Sequence, residues 1–392
     1  MQPVIVTHYT AVCAAGRGRE ALWDALVDGR SGLAPNDLPG VALQTHVGRV
    51  RGLEESPLPA AFADWDCRNN RLALLALQQD GMEDAVIALR EHFGPRRIAV
   101  VLGTSTGSIG STEDAYRLRE NDTELPAAFR HPIVHSPYSL VDFVRNYLRL
   151  EGPAFGVSTA CSSSARVFGS AERLLRFGLA DAVLVGGTDT LCQSVLHGFN
   201  SLELMSPEPC RPFDVARQGL SLGEGSGFAL LVRGPADGVL LRGYGETSDA
   251  HHMSSPHPEG LGARRAMEQA LASAGLQPGA IDYVNLHGTA TRLNDQIEGE
   301  AMRTLFPAPV ACSSVKGWTG HTLGAAGIVE AVCSLLGLER GLVPQTLNCV
   351  EVEPRFRDYV RTTTSRESLQ TVMSNSFGFG GNNCSLIFGM AR

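Results

Sequence analysis

The stretch around Cys161 constrains this chain most. Gly156-Val157-Ser158-Thr159-Ala160-Cys161-Ser162-Ser163-Ser164-Ala165 sets a thiol between a short strand-like run and a helix-like run. Over residues 165–177 the apolar Val167, Phe168, Ala171, Leu174 and Leu175 recur at near-helical spacing, with Arg166, Glu172, Arg173 and Arg176 between them. Residues 182–187, Ala-Val-Leu-Val-Gly-Gly, read as a buried strand ending in glycines. Strand, turn, helix and strand make one β-α-β unit, which needs parallel strands and an α/β architecture. At a helix N-terminus the unpaired N–H groups and the positive end of the dipole favour a thiolate, and small Ser and Ala neighbours leave room for a substrate. The competing use of such a cysteine is inert packing, since free cysteine is among the most buried residue types.

The remaining chain repeats this plan. Residues 3–7 read as a strand, 19–27 as a helix striped by Leu22, Trp23 and Leu26, and 70–80 as a further helix beyond an irregular Gly/Pro/Asp-rich excursion. Residues 97–102 and 228–232 are apolar strands, and Arg233-Gly234-Pro235 marks a boundary. The second half starts over with a strand at 240–244 and a helix at 262–274 capped by Gly275. A strand at 281–286 then delivers His287-Gly288-Thr289 at its C-terminal end, and one at 308–313 leads to Lys316 and His321 before a small-residue helix from about 324. Strand, polar turn and small-residue helix match the plan of the Cys161 unit. With 392 residues, too many for one ordinary core, the chain reads as two similar halves, 1–234 with the thiol and 235–392 with both histidines.

Composition removes several function classes. A net charge of -8 works against polyanion binding, so nucleic acid is disfavoured. Nine cysteines, odd in number and without a C-x-x-C pair, indicate no disulfide framework. Neither a signal peptide nor an apolar run of about eighteen residues is present, so no membrane span and a reducing cytoplasm are expected. His251 and His252 are adjacent and point apart, which disfavours a metal site in their loop. Residues 375–383 are glycine-rich, but no third glycine completes a dinucleotide fingerprint, and on composition they read as a hairpin turn.

What remains is a set of groups at the carboxyl ends of strands, where α/β folds place their sites. Thiolate attack on an acyl carbonyl needs a nucleophile, oxyanion donors and a group that stabilises negative charge in the next step; Cys161, the Phe379 loop, His287, His321 and Lys316 offer all three. A rival nucleophile is Ser105 in Gly103-Thr104-Ser105-Thr106-Gly107, a G-x-S-x-G string after a strand, although no immediate helix follows it. Arg68 and Arg71, at the start of the predicted 70–80 helix, read either as a solvated helix end or as a docking site for an acidic partner.

At these residues the chain resembles the elongating β-ketoacyl-acyl carrier protein synthases of the thiolase-fold superfamily. Ser158-Thr159-Ala160-Cys161-Ser162-Ser163 is similar to the family's cysteine turn and His287-Gly288-Thr289-Ala290-Thr291 to its first histidine motif. Lys316 with Gly320-His321-Thr322-Leu323-Gly324 matches the second, and Asn375-Ser376-Phe377-Gly378-Phe379-Gly380-Gly381 the gating loop. The resemblance implies a five-layered α-β-α-β-α fold from two similar halves, a dimer, acyl carrier protein as partner, and no cofactor beyond the carrier's phosphopantetheine arm. It implies that Cys161 holds the acyl group, with the N–H groups of Cys161 and Phe379 as oxyanion hole. His287 and His321 would act on a malonyl thioester, Lys316 would support the second histidine, and Glu330 would be its buried acidic partner. Thr289, Thr291 and Phe377 would line the pantetheine path, Phe379 would gate the acyl pocket, Thr106 would stand at its floor, and Arg68 and Arg71 would meet the carrier. Initiating synthases carry Asn where His321 stands, and thiolases a second catalytic cysteine that Cys384 does not match. Thr106, Trp318 and Asn382-Asn383 depart from the housekeeping pattern and point toward secondary pathways such as those making aryl polyenes. The alternative within this resemblance is a scaffold subunit pairing with an active synthase, and a chain-length-factor-like partner is expected if the dimer is mixed.

Overall fold

The computed structural model describes residues 2–391 apart from 122, 127, 128, 130 and 236, with the side chains of 131 and 132 also left aside. In the first half β1 (Val4–Cys13) is followed by α1 (Gly18–Asp28), α2 (Arg68–Leu77), β2 (Ile98–Gly103), α3 (Ser139–Tyr147) and β3 (Ala154–Val157). Then come α4 (Ser163–Arg176), β4 (Ala182–Asp189), α5 (Gln193–Ser201) and β5 (Gly225–Arg233). The second half runs β6 (Val239–Ser248), α6 (Leu261–Ala274), β7 (Tyr283–Asn285), α7 (Arg292–Leu305), β8 (Ala311–Ser313), α8 (Ala326–Arg340), β9 (Thr371–Gly378) and β10 (Asn382–Met390).

These strands form one sheet path in the order β8-β7-β9-β10-β6-β1-β5-β4-β2-β3. Outward from β1, the pairs to β5 and then β4 are antiparallel, and those to β2 and then β3 are parallel. Outward from β6, the pairs to β10 and β9 are antiparallel, and those to β7 and β8 parallel. The two halves thus repeat one strand order and one set of directions, joined where Val4, Ile5 and Val6 pair with Leu241, Leu240 and Val239.

Helices α4 and α8 pack on each other and on strands of both halves; α2 and α3 lie against first-half strands, and α6 against β6 and β10 with α7 beside it. This gives the five α-β-α-β-α layers that the resemblance implies. α8 is buried on every side from Ala326 to Leu338, as its mostly apolar and small sequence requires, with Glu330 as the buried charge among them. Its approach to α4 needs Gly327, where a Cβ would lie 2.5 Å from the Ala165 amide nitrogen. The two central helices therefore meet almost backbone to backbone, which brings the Cys161 turn and the His321 turn together.

Local readings shift at element ends. The predicted 70–80 helix starts at Arg68 and stops at Leu77, and the helix expected from 324 follows a short 3-10 turn at Leu323–Ala325. The glycine-rich end is an antiparallel hairpin in which Gly378 pairs with Asn382, so the turn and the gating-loop motif are the same residues.

Candidate active site

The nucleophile turn is built from its neighbours' hydroxyls. Ser163 Oγ accepts the Thr159 N–H at 2.9 Å and donates to the Ala160 carbonyl at 2.6 Å, while Ser162 Oγ donates to the Thr159 carbonyl at 2.9 Å. These bonds hold Ala160 at φ +51°, a left-handed conformation that costs a non-glycine residue on the order of 1–3 kcal/mol. Ala290 at +67° and Leu323 at +56° repeat the feature in the two histidine turns. Strain at all three turns indicates backbones held for the direction of a side chain.

Cys161 lies two residues before α4, only 6% exposed. Burial pushes its thiol up to about 11, against the Phe379 backbone N–H and the Lys316 charge, which pull it down. The thiolate expected from the helix terminus is thus not the resting form, because desolvation outweighs these two opposing effects. His321 supplies the missing base: its Nε2 lies 3.0 Å from Cys161 Sγ. The His321 main chain is pinned through its N–H to Ser221 O at 2.8 Å and through its carbonyl, which accepts the Gly223 N–H at 2.9 Å. Its Nδ1 has no hydrogen-bond partner among the described residues.

His287 is held differently. Glu298, buried on α7, accepts the N–H groups of His287 and Gly288 at 2.8 Å each. Lys316, 1% exposed, reaches His287 Nδ1 at 3.3 Å and also donates to the His287 carbonyl and to Glu330 Oε1. Lys316 therefore makes its direct contact with the first histidine, because β7 and β8 are paired neighbours and bring residues 287 and 316 together, while its charge also acts on His321, the histidine that the resemblance implied it would support.

The histidine rings stand 5.3 Å apart and nearly perpendicular. Burial lowers the pKa of both well below the ordinary histidine value, helped by the Lys316 charge. Both imidazoles are neutral at pH 7, so tautomers decide what they offer. A lysine donor on Nδ1 of His287 fixes its proton on Nε2. The open Nδ1 of His321 leaves its Nε2 free to present a lone pair to the thiol or an N–H to a carbonyl.

Cys161 and both histidines close the inner end of a cavity of about 490 Å³ that Thr289, Thr291, Phe377 and Phe379 also line. Thr289 and Thr291 hydroxyls bond each other at 2.9 Å, and Phe377 lies 6.0 Å from the His287 ring. The Phe379 ring stacks on Phe199 at 5.5 Å, an aromatic neighbour that the sequence reading did not single out. A Cβ at Gly378 would lie 2.9 Å from the Thr159 carbonyl and 3.2 Å from the Cys161 amide nitrogen, so glycine lets the loop close on the nucleophile.

Four sequence candidates have other partners. Thr106 is not in the cavity lining; its N–H and Oγ1 both donate to Asp189 Oδ1, at 3.1 and 2.8 Å. Ser105 Oγ donates to Asp189 Oδ2 at 2.7 Å and accepts the Gly324 N–H at 3.2 Å, so its hydroxyl is engaged without a histidine. Arg68 and Arg71 are half-buried and paired with carboxylates. Arg68 forks onto the fully buried Glu224, and Arg71 donates twice to Asp66 at 2.6 Å. Both spend their charge on internal carboxylates, with about a fifth of each side chain still exposed (21% and 22%).

Sequence reasoning also missed Glu298 and Asp295, which accepts the Phe213 and Ala290 N–H groups at 2.7 and 3.1 Å. One signal lay in plain view: of 33 basic residues, Lys316 is the only lysine. Three acceptors in different directions suit a compact ammonium and not a planar guanidinium. The donor atoms of Cys161, His287 and His321 lie within 4.8 Å of one another, a spacing a metal ion accepts, but Lys316 beside them brings a positive charge to that spot.

A buried thiol facing two neutral histidines, one locked by lysine, inside a duplicated five-layer fold defines a thiolase-type condensing enzyme. The chain belongs to the β-ketoacyl synthase family: residues 1–236 match the family's N-terminal domain and residues 239–350 its C-terminal domain. It is 34% identical to the mitochondrial 3-oxoacyl-acyl-carrier-protein synthase of Arabidopsis thaliana, over 98% of this chain and 92% of that protein. It is 31% identical to nodulation protein E of Rhizobium meliloti, over 98% of each. A ketosynthase solved in complex with its chain length factor, from Xenorhabdus doucetiae, is similar over 100% of this chain and 98% of that one, with a TM-score of 0.90 and 38% identity. The family is one of condensing acyltransferases, which form carbon–carbon bonds.

Proposed function

We propose that Cys161 accepts an acyl group from a carrier-protein thioester and that the two histidines then drive decarboxylative condensation with malonyl-acyl carrier protein. The observation that carries this reading is the pair of neutral imidazoles around one thiol, one fixed as an Nε2–H donor and the other free to exchange tautomers. In the first step Sγ attacks the acyl carbonyl, its proton leaves by His321 Nε2, and the same proton restores the departing carrier thiol. The oxyanion lies at the N–H groups of Cys161 and Phe379.

In the second step His287 Nε2–H and His321 Nε2–H bond the malonyl thioester carbonyl. The bond to the carboxylate breaks, carbon dioxide leaves, and the electron pair passes into an enolate held by these two donors. The enolate carbon attacks the acyl-Cys161 carbonyl, the C–S bond breaks, and a proton from solvent restores the thiol. The intact Cys161 centre supports catalysis over a scaffold role. The Xenorhabdus neighbour, solved with its chain length factor, supports a dimer in which the second subunit is identical or of chain-length-factor type. Among the described residues no helix is long and apolar enough to cross a membrane, in keeping with work in the cytoplasm on a carrier protein. The departure at Trp318 favours a primer from aryl polyene or other secondary chemistry over housekeeping fatty acids, while Thr106, bonded to Asp189 outside the cavity lining, carries no weight for it.

Intact mass after incubation with acyl-carrier thioesters tests the reading. The acyl mass should appear on wild type and not on Cys161→Ala, while Cys161→Ala should still release carbon dioxide from malonyl carrier protein. Acylation that survives in Cys161→Ala contradicts it.

A further inference from the structure

With Arg68 and Arg71 committed to internal carboxylates, the question is which cation on this chain is free to meet an anionic substrate. One stretch of the cavity wall, residues 287–292, starts at the reaction centre, and exposure rises along it. His287 is 2% exposed and Thr289 6%, Thr291 is half-buried, and Arg292 is exposed. Five residues of chain reach at most about 18 Å, and an arginine side chain extends that further. This is the scale on which a long, narrow thioester arm would run from Cys161 to solvent.

Arg292 is the one arginine or lysine among the cavity's lining residues. Its carbonyl accepts a bond from Arg217 Nη2 at 3.2 Å, but its guanidinium has no hydrogen bond, ion pair or ring contact among the described residues. It differs in this from Arg217, seven percent exposed a few ångströms away and paired with Asp295 and Glu353. The end of α7 does not itself seek an anion, because Asp295 in its first turn already accepts nearby N–H groups. The free cationic group on the lining is therefore the Arg292 guanidinium, with Asn294, Ser254 and Ser255 lining the same cavity.

Resting on the proposed use of carrier-bound thioesters, we infer that Arg292 anchors the phosphodiester of the phosphopantetheine arm at the rim, while the thioester reaches Cys161. A guanidinium presents paired N–H donors to two phosphate oxygens, a geometry neither threonine in the wall offers. It is a substrate-positioning residue: it sets where the arm stops and takes no part in bond making.

Calorimetric titration with free phosphopantetheine and with pantetheine, which lacks the phosphate, tests this without requiring turnover. Wild type should prefer phosphopantetheine, Arg292→Gln should reduce that preference by about tenfold, and Arg292→Lys should restore part of it. The preference should fall with added salt. In acyl transfer to Cys161, Arg292→Gln should raise KM for the acyl-phosphopantetheine substrate more than it lowers kcat. Equal preference in wild type and Arg292→Gln overturns the inference. So does a loss seen only with whole acyl carrier protein, which would place Arg292 against an acidic side chain of the carrier. Absence of any acyl mass on wild-type Cys161 would instead count against the proposed function, while the binding comparison would still decide the role of Arg292.

Discussion

Two buried glutamates in this protein each hold one cation, and only one of those cations also contacts a histidine that lines the cavity. Glu224 accepts the Arg68 fork on both oxygens and also the N–H groups of Val50 and Leu191, at 2.7 and 3.1 Å. Arg68 has two further acceptors, Glu54 and the Val50 carbonyl. Glu330 has no backbone N–H among its described partners, and its cation, Lys316, extends past it to His287. The saturated pair is a fold element. The open one transmits charge to an imidazole that faces the cavity. A buried ion pair gives weak evidence of stability or function until its remaining valences are traced.

The comparison predicts opposite phenotypes. Lys316→Met should lower malonyl decarboxylation by about 10²–10³-fold, the cost of removing a preorganised electrostatic contact, with a smaller loss in acyl loading. Radiometric carbon dioxide release separates the two steps, and equal losses would break the assignment. Arg68→Ala should cost about 3 kcal/mol of stability by leaving Glu224 buried without its cation, read by urea denaturation, and KM for the carrier substrate should stay put. A raised carrier KM without destabilisation would return Arg68 to a docking role.

Glu298 sharpens the contrast on the histidine side. Burial pushes its carboxyl up to about 7, against the two N–H donors that pull it down. The folded chain then keeps a proton that the unfolded chain releases near 4.5, so this contribution to stability is full below that pH and is lost as pH rises through about 7. Stability measured from pH 5 to 7.5 should fall by roughly 1–3 kcal/mol more in wild type than in Glu298→Gln. Parallel curves would contradict this. The smallest effect expected is for Arg71→Ala, whose partly exposed pair with Asp66 contributes at most about 1 kcal/mol. A melting-temperature shift well below that of Arg68→Ala checks it.

The fold was largely legible. The Cys161 turn, the histidine at the end of β7 and the glycine run before β10 are short-range patterns, and the likeness of their plans anticipated the repeated strand order. What escaped the sequence were pairings across distance. Arg68 meets a glutamate 156 positions away, and Lys316 meets a histidine 29 positions away while lying five from another. Thr106 looked like a pocket floor, yet a fully buried Asp189 claims its hydroxyl. Charge and hydroxyl positions can be read in a sequence; which partner satisfies them is settled by strand order and helix packing. The single lysine was the exception, a compositional mark of a place where only an ammonium fits.

Lys316 locks His287 as an Nε2–H donor. Side-chain 15N NMR of histidine-labelled protein, with the His287 signals identified by their loss in His287→Gln, reads that tautomer directly. A neutral ring at pH 7 with the proton on Nε2 is expected, and a mixture of tautomers once Lys316 is replaced by Met. A proton on Nδ1, or a charged imidazolium, in the intact protein would contradict it.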